Sequence, residues 1–476
     1  MRKKHFFILV LAITLFTACG RRDDYFYVEP TRHTLSVNAS RLIAPALQQA
    51  AENLSAAWGD SRIFELNLNT FDPAADIALQ EHYHHLRTLL SAGQGYDMFF
   101  PMAQHVFDFA GAGYLINIYT LMDLDPFVHP WMSNAGRDNF FHQPLRAREI
   151  NGRLHALPVS FGFYHVSINT ALPDSIITQF ISYDSMSIAD LMRLYLLLVA
   201  NYPEYEDMHI VSGLIDGRGV SGLLQLYMDN FIDYSSRTVD LMNDDFIDFL
   251  YDFLEIFSRP FNFGGQAIPI RAYPMLANFR DRYVFMANSI ALNPVLDVVD
   301  ASHFLPGRNV FYHSRPITDR QGRAHNGTWA QVSFFTGGNY ILAWEFAQYV
   351  IAEFTLPTGN LSRYRARQAG WGPHSMATPI ARELFRPHLS AVFQEVNTIT
   401  TNWHGGSMLR PNIDINTETA IVQRIEAMIE SPMAYAGNYF PIHYVWDDYM
   451  DFIADAITAH EFARRLQSAV SIWFGR

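Results

Sequence analysis

The sequence predicts an α/β fold, with room for one large or two ordinary domains. Three observations carry that expectation. Between residues 33 and 100 the pattern runs strand, helix, strand, helix, strand, the order of a parallel α/β lobe. The chain has 476 residues, 49% of them hydrophobic, enough for a sizeable buried core. Its 14% aromatic content excludes disorder as the dominant state.

The first segment reads as an address. Met1-Arg2-Lys3-Lys4 is a basic start, Phe6–Phe16 is an apolar run, and Thr17-Ala18 precedes Cys19, the single cysteine. A basic region, a short apolar region and a small-residue cleavage site make a secretory signal. The run is short for a bilayer span. Phe16-Thr17-Ala18-Cys19-Gly20 resembles a bacterial lipobox, which implies cleavage after residue 18, lipidation of Cys19 and a palmitate-type acyl anchor in the cell membrane. Read instead as an ordinary secretory signal with an incidental cysteine, it still exports the chain. One cysteine permits neither an intrachain disulfide nor a cysteine-built metal site. Residues 19–32 form a polar tether.

Charge narrows the partners. The formal net charge is −13, and loss of residues 1–18 leaves 31 basic and 47 acidic residues, a formal −16. That argues against nucleic acid and disfavours a highly anionic ligand.

The elements follow in order. His33–Val37 is a strand. Ala44–Trp58 is a helix with Leu47, Ala51, Leu54 and Trp58 available to one face. Ile63–Asn69 alternates, placing Phe64, Leu66 and Leu68 on one side and Glu65, Asn67 and Asn69 on the other. Ile77–Leu90 is a helix ended near Gly93 and Gly95, and Tyr96–Phe100 is a strand closed by Pro101. Ala103–Ala110 is a short helix. Phe163–Ile168 is a strand. Ser187-Ile188-Ala189-Asp190 is a capping box that opens a helix over Ile188–Val199. A helix follows the loop at Gly213–Gly222, and Phe246–Phe257 is another. Residues 258–275, with three prolines and two adjacent glycines, read as a loop. Tyr283–Ser289 and Thr328–Phe335 are strands, and Tyr340–Glu353 is an amphipathic helix. Residues 354–416 read as loop and short helices. Thr417–Ile429 is a helix, and Thr458-Ala459-His460-Glu461 caps a C-terminal helix to about Ile472.

Several stretches resemble one family. Leu86-Arg87-Thr88-Leu89-Leu90-Ser91-Ala92-Gly93-Gln94-Gly95-Tyr96-Asp97 is similar to its helix, Ala-Gly turn and acidic strand start. Gly113-Tyr114-Leu115 with Leu121–Phe127, then Asn151-Gly152-Arg153-Leu154-His155-Ala156-Leu157-Pro158, resemble later landmarks. Arg282–Asn288, Ala343–Val350 and Thr458–Val470 complete the order. The family is that of the extracellular solute-binding proteins of bacterial ABC importers, the group that includes maltose and oligosaccharide binders. The resemblance implies a two-lobe periplasmic-binding-protein-like fold. Each lobe would be a mainly parallel sheet flanked by helices, with a hinged cleft between. The expected lobes are 33–158 with 290–353, and 159–289 with 354–476. Hinges are expected near 157–163, 288–294 and 352–358.

The resemblance also implies a non-enzymatic function: capture of a solute, expected to be a carbohydrate, and delivery to the transmembrane subunits of an ABC permease. The expected body is a monomer without a cofactor, anchored outside the cytoplasm. Sugars need aromatic platforms for ring faces and planar donors and acceptors for hydroxyls. Of the eight tryptophans, Trp344, Trp58 and Trp473 read as packing residues, while Trp371 and Trp403, in loops, and Trp329, beside Gly327, are candidate platforms. Loops beyond the carboxyl ends of parallel strands add Asn38, Met102 and Gln104, and the crossings add Tyr164 and Asn288.

Other chemistries are weaker. Glu81-His82-Tyr83-His84-His85 has spacing that can bind zinc, but a solvated helix face accounts for it. Asn412-Ile413-Asp414-Ile415-Asn416-Thr417-Glu418 resembles the start of a calcium loop without its glycine, and Asn416 or Thr417 as a helix cap is simpler. A glycoside hydrolase would need two carboxylates about 5 to 9 Å apart across a cleft. A sensor or adhesion receptor on the same fold stays open.

Overall fold

The computed structural model describes residues 31–72, 76–101, 103–125, 136–206, 208–212, 220–234, 236–257, 261–263, 266–268, 283–288, 311–328, 330–355, 378–398, 402–403, 406–407, 415–435, 440 and 442–475.

The chain opens with β1 (Thr31–Ser40), α1 (Ala44–Trp58) and β2 (Arg62–Phe71). The strands pair in parallel, Leu35 opposite Leu66 and Val37 opposite Leu68. Leu35, Val37 and Ala39, alternate residues of β1, are fully buried. Helix α1 buries Ala46, Leu47, Ala50 and Leu54, a stripe at helical spacing, and stops where Gly59 takes φ 62°. Then come α2 (Asp76–Ser91), β3 (Met98–Phe99), α3 (Ala103–Gly111), α4 (Ile118–Asp123) and α5 (His142–Arg146).

The first crossing follows. β4 (Leu157–Pro158) pairs in the first sheet, while β5 (Ser160–Phe163) and β6 (His165–Asn169) pair in a second. The second body continues through α6 (Asp174–Ser182), β7 (Met186–Ser187), α7 (Ile188–Asn201), β8 (His209–Ser212), α8 (Val220–Met228), the hairpin β9 (Ile232–Asp233) and β10 (Thr238–Val239), and α9 (Asp244–Phe257). The hairpin β11 (Phe261–Phe263) and β12 (Gln266–Ile268) precedes β13 (Tyr283–Asn288), β14 (Phe311–Thr318) and β15 (Ala324–Gly327). β16 (Gln331–Phe334) returns to the first sheet, and α10 (Tyr340–Thr355) packs on α1. The remainder is β17 (Thr378–Pro379), α11 (Arg382–Thr398), the hairpin β18 (Asn402–Trp403) and β19 (Gly406–Ser407), α12 (Ile415–Glu430), β20 (Met433–Tyr435), α13 (Trp446–Ile453) and α14 (Ala459–Phe474). Among the described residues no helix is long and apolar enough to cross a membrane.

The first sheet has the order β2-β1-β3-β16-β4, the second β17-β5-β15-β14-β6-β13-β8, with β20 beside β15 and β7 beside β14. β2, β1 and β3 are parallel, as expected. The second sheet departs from the expected parallel arrangement. β17·β5, β5·β15, β15·β14, β14·β6 and β6·β13 are antiparallel, while β13·β8, β14·β7 and β15·β20 are parallel. Strands that enter and leave this sheet by doubling back pair antiparallel. Parallel neighbours need a helical crossover between them.

Two boundaries move. Residues 311–327 pair in the second sheet, so the chain returns to the first between Gly327 and Gln331, not near residue 290. The expected hinge at 288–294 is therefore replaced by a crossing at 328–330; residues 289–294 lie outside the described set. The tail is also divided. Leu384, Phe385, Leu389, Ile425 and Ile429 join the core that holds Leu35, Val37 and Leu47. Tyr449, Phe452, Phe462 and Leu466 join the second core with Ile168, Leu191 and Phe285. Helix α11 is longer than the short helices expected over 354–416, and it carries Pro387 inside it.

Candidate functional site

The carboxyl ends of β1 and β2, the second turn of α2 and the first turn of α3 bring together Asn38, Asn69, Phe71, His82, Tyr83 and His105. β1 and β2 run in parallel with Asn38 opposite Asn69, so two amides meet at one sheet edge. Asn38 is 1% exposed. Its Nδ2 donates to Asn69 Oδ1 at 3.0 Å, and its Oδ1 lies 3.0 Å from His82 Nε2. The amide oxygen only accepts, so His82 carries its proton on Nε2 and the chain runs His82 to Asn38 to Asn69.

Rings surround this relay. Phe71 stacks on His82 with centroids 4.3 Å apart, and His105 stacks on Tyr83 at 3.7 Å. Burial, and then the neighbouring His85, pulls the His82 pKa down. Burial, with a smaller push from His82, brings His105 to about 3. Both imidazoles are neutral at pH 7, so the edge offers amide and imidazole hydrogen-bonding groups without a cationic ring. His105 Nε2 is buried without a hydrogen-bond partner. Asn69 is exposed and Phe71 half-buried, which leaves part of the cluster open to solvent. Neutral hydrogen-bonding groups beside ring faces suit a neutral polar solute.

The crossings are tied to each other beside this edge. Val159 N–H donates to the Ala330 carbonyl at 2.9 Å. The Thr328 hydroxyl lies within hydrogen-bond reach of the Ser160 and Ala330 carbonyls. Gln331 Nε2 donates to the Pro101 carbonyl at 3.2 Å, linking the return strand to the end of β3.

The expected contacts fare differently. Asn38 is in the cluster. Gln104 falls on the first turn of α3. Asn288 ends β13, its backbone opposite His165. Trp403 is on β18, opposite Gly406 in a short hairpin rather than an irregular loop. Cys19, Met102, Trp329 and Trp371 lie outside the described residues. Tyr164 is a correction: it is fully buried in the second core, its N–H on the His325 carbonyl at 3.0 Å and its carbonyl accepting from Ile317 N–H at 2.8 Å. A side chain enclosed there is packing, not a surface for solute. Trp344 is core, as expected, at 1% exposure.

Asn69, Phe71, His82 and His105 were not singled out as contacts from sequence. A signal existed for two of them. Asn69 belongs to the polar side of an alternating strand, and His82 lies in the histidine-rich run. In that run Glu81, His84 and His85 are exposed, as a solvated face requires. Among the described residues no group of three or more His, Cys, Asp or Glu is placed to hold a metal ion.

No protein-family model matches the chain, and no curated protein matches it. Solved structures do. The sugar-binding protein MalE from the phytopathogen Xanthomonas citri aligns with a TM-score of 0.57 at 11% identity, over 93% of this chain and 98% of that one. An extracellular solute-binding protein family 1 member from Alicyclobacillus acidocaldarius aligns at 0.54 and 9%, over 94% and 100%. The cyclic alpha-maltosyl-1,6-maltose binding protein from Arthrobacter globiformis aligns at 0.53 and 9%, over 93% and 99%. At such identities the likeness is one of fold: a mixed α/β, periplasmic-binding-protein-like fold with helices flanking the sheets.

Proposed function

We propose that the chain is an extracytoplasmic solute-binding protein. It captures a carbohydrate in a cleft between its two sheets and delivers it to an ABC permease. The observation that carries the reading is the architecture: two sheets joined by paired crossings at Val159 and Thr328–Ala330, with a polar and aromatic edge at the carboxyl ends of the first sheet's strands. In open α/β sheets that edge is where ligands bind.

Closure would be a population shift, ligand favouring the closed arrangement over the open one. The proteins that share the fold are described as binding proteins, two of them for sugars. This supports a binding role over catalysis and supports a carbohydrate as ligand. The neutral relay at Asn38, Asn69 and His82 favours an uncharged solute, and the acidic body disfavours a highly anionic one. Cys19 is the proposed lipid anchor to the cell membrane, and the body acts as a monomer.

Thermal unfolding of residues 20–476 against mono- and oligosaccharides, peptides, polyamines and divalent metals tests this reading. A ligand that binds the folded state alone raises the midpoint. A shift with one saccharide class is expected. A shift with peptides or metals and none with saccharides would remove the carbohydrate assignment.

A further inference from the structure

A cavity of about 190 Å³ lies away from the carboxyl edge, where α3 of the first body meets the end of α14 and the β9–β10 turn of the second. Its walls include Phe107 and Asp108 on α3, Arg87 on α2, Arg237 in the turn, and Trp473 and Phe474 at the end of α14. The two bodies touch here through rings. Phe107 lies 6.2 Å from Trp473 and 6.3 Å from Phe474, centroid to centroid.

The charges do not close on themselves. Asp108 sits in the field of both Arg87 and Arg237, yet its carboxylate accepts no hydrogen bond and makes no ion pair among the described residues. Burial raises its pKa against the pull of both guanidinium groups. Arg237 is pinned beside it. Its Nη1 donates to the Phe474 carbonyl at 3.2 Å, its guanidinium lies over the Phe107 ring at 5.2 Å, and its backbone holds φ 57°. A non-glycine residue at positive φ is costly and persists where its surroundings demand it. A β-carbon at Gly111 would come within 3.0 Å of Arg237 Nη2, so the missing side chain leaves space for the guanidinium.

We propose that this cavity is a second ligand site, for a small zwitterion with an apolar body such as a free hydrophobic amino acid. The ammonium meets Asp108, the carboxylate meets Arg87 and Arg237, and the apolar part lies against Phe107 and Trp473. A simple cation is repelled by the two arginines, and a simple anion meets both arginines but leaves Asp108 without a cationic partner. The volume suits a ligand smaller than the sugars proposed for the cleft, since sites for drug-sized ligands run to roughly 300–1,000 Å³. Arg237 and Trp473 belong to the second body and Arg87 and Asp108 to the first, so an occupant would bridge them.

Calorimetric titration of residues 20–476 with L-phenylalanine and L-leucine tests the site, with 3-phenylpropionate and phenethylamine as single-charge controls. Binding of the zwitterions and roughly tenfold or weaker binding of both controls is expected, because each charged hydrogen bond lost costs about that factor. Asp108→Asn, a near-isosteric change, and Arg87→Gln, at an exposed position, should each reduce zwitterion affinity by roughly tenfold. Saccharide-induced shifts should persist in both variants, which separates this site from the cleft. No heat with either amino acid, equal binding of the propionate, or affinity unchanged in both variants would overturn the proposal.

Discussion

Asp97 and Ser36 bond to each other in both directions. Asp97 Oδ2 accepts from the Ser36 N–H at 2.7 Å and from its hydroxyl at 2.6 Å, and the Asp97 N–H reaches Ser36 Oγ at 3.1 Å. The other carboxylate oxygen accepts from Asn339 N–H at 2.6 Å, just before α10 begins. One side chain thus joins the first strand to the start of the helix that follows the return strand β16. Asp97→Ala should destabilise by about 2–4 kcal/mol, since several charge-assisted bonds are lost together. A β-carbon at Gly338 would lie 2.8 Å from Asp97 Cα, so Gly338→Ala should also destabilise, by about 1–3 kcal/mol. Urea midpoints of the two variants check both values.

The capping box at the start of α7 is complete. Ser187 Oγ accepts from Asp190 N–H, and Asp190 Oδ2 accepts from Ser187 N–H, both at 3.1 Å. Ser187→Ala should cost about 1 kcal/mol. The expected readout is a lower urea midpoint with an unchanged slope.

His325 lies 3% exposed on β15 with neither ring nitrogen hydrogen-bonded. Burial brings its pKa to about 4, with Asp319 pulling up and Arg323 pushing down. The folded pKa is below the unfolded value of about 6.5, so the unfolded chain binds more protons between those values. Stability linked to His325 is therefore full above pH 6.5 and is lost as pH falls toward 4. His325→Gln should lag the parent in melting temperature most at pH 7, and the gap should narrow by pH 4.5. A gap that is constant with pH would refute this linkage.

Asp229 has the opposite sign. Burial raises its pKa to about 7, against the hydrogen bond it accepts from the Tyr234 hydroxyl at 2.7 Å. Its folded pKa is above the unfolded value, so stability is lost as pH rises from about 4 to 7. Asp229→Asn, which retains an acceptor for Tyr234, should gain on the parent as pH rises through that window. Melting curves at pH 4.5 and 7.5 give the comparison.

For the proposed cleft, Asn69→Ala and Trp403→Ala should each weaken saccharide binding by roughly tenfold, if a hydrogen bond and a ring platform are lost, and Asn69→Ala should also lower the unfolding midpoint because buried Asn38 Nδ2 loses its acceptor. Titration with the saccharide that gives the thermal shift checks this. Unchanged affinity in both variants would move the site elsewhere.

Local pattern was enough for much of the fold. Helix α1 spans the same residues as its apolar period, Ala44–Trp58. The caps at Ser187 and Thr458 open helices where expected, because a cap is a contact between residues three apart. Helix α11 shows the limit. Pro387 removes a backbone donor and normally costs about 3 kcal/mol inside a helix. Here Leu384, Phe385 and Leu389 are buried, Phe385 meets Phe141 edge-on at 5.4 Å, and Arg382 Nε donates to the Phe140 carbonyl at 3.0 Å. Those partners are some 240 residues away in sequence, so no local window contains them.

The candidate site divides the same way. Composition, charge and the α/β order are properties of the chain read in sequence, and so is the choice of carboxyl strand ends as the place to look. Which residues meet at those ends depended on register. The parallel pairing sets Asn38 against Asn69, and α2 then folds back to bring His82 within 3.0 Å. Tyr164 shows the reverse case. Sequence places it at a crossing, but the mixed second sheet holds it between His325 of β15 and Ile317 of β14, in the core. Short-range chemistry writes helices, caps and strand alternation. Burial is a sum over contacts far apart in the chain, and it separates a residue that can meet solute from one that fills the interior.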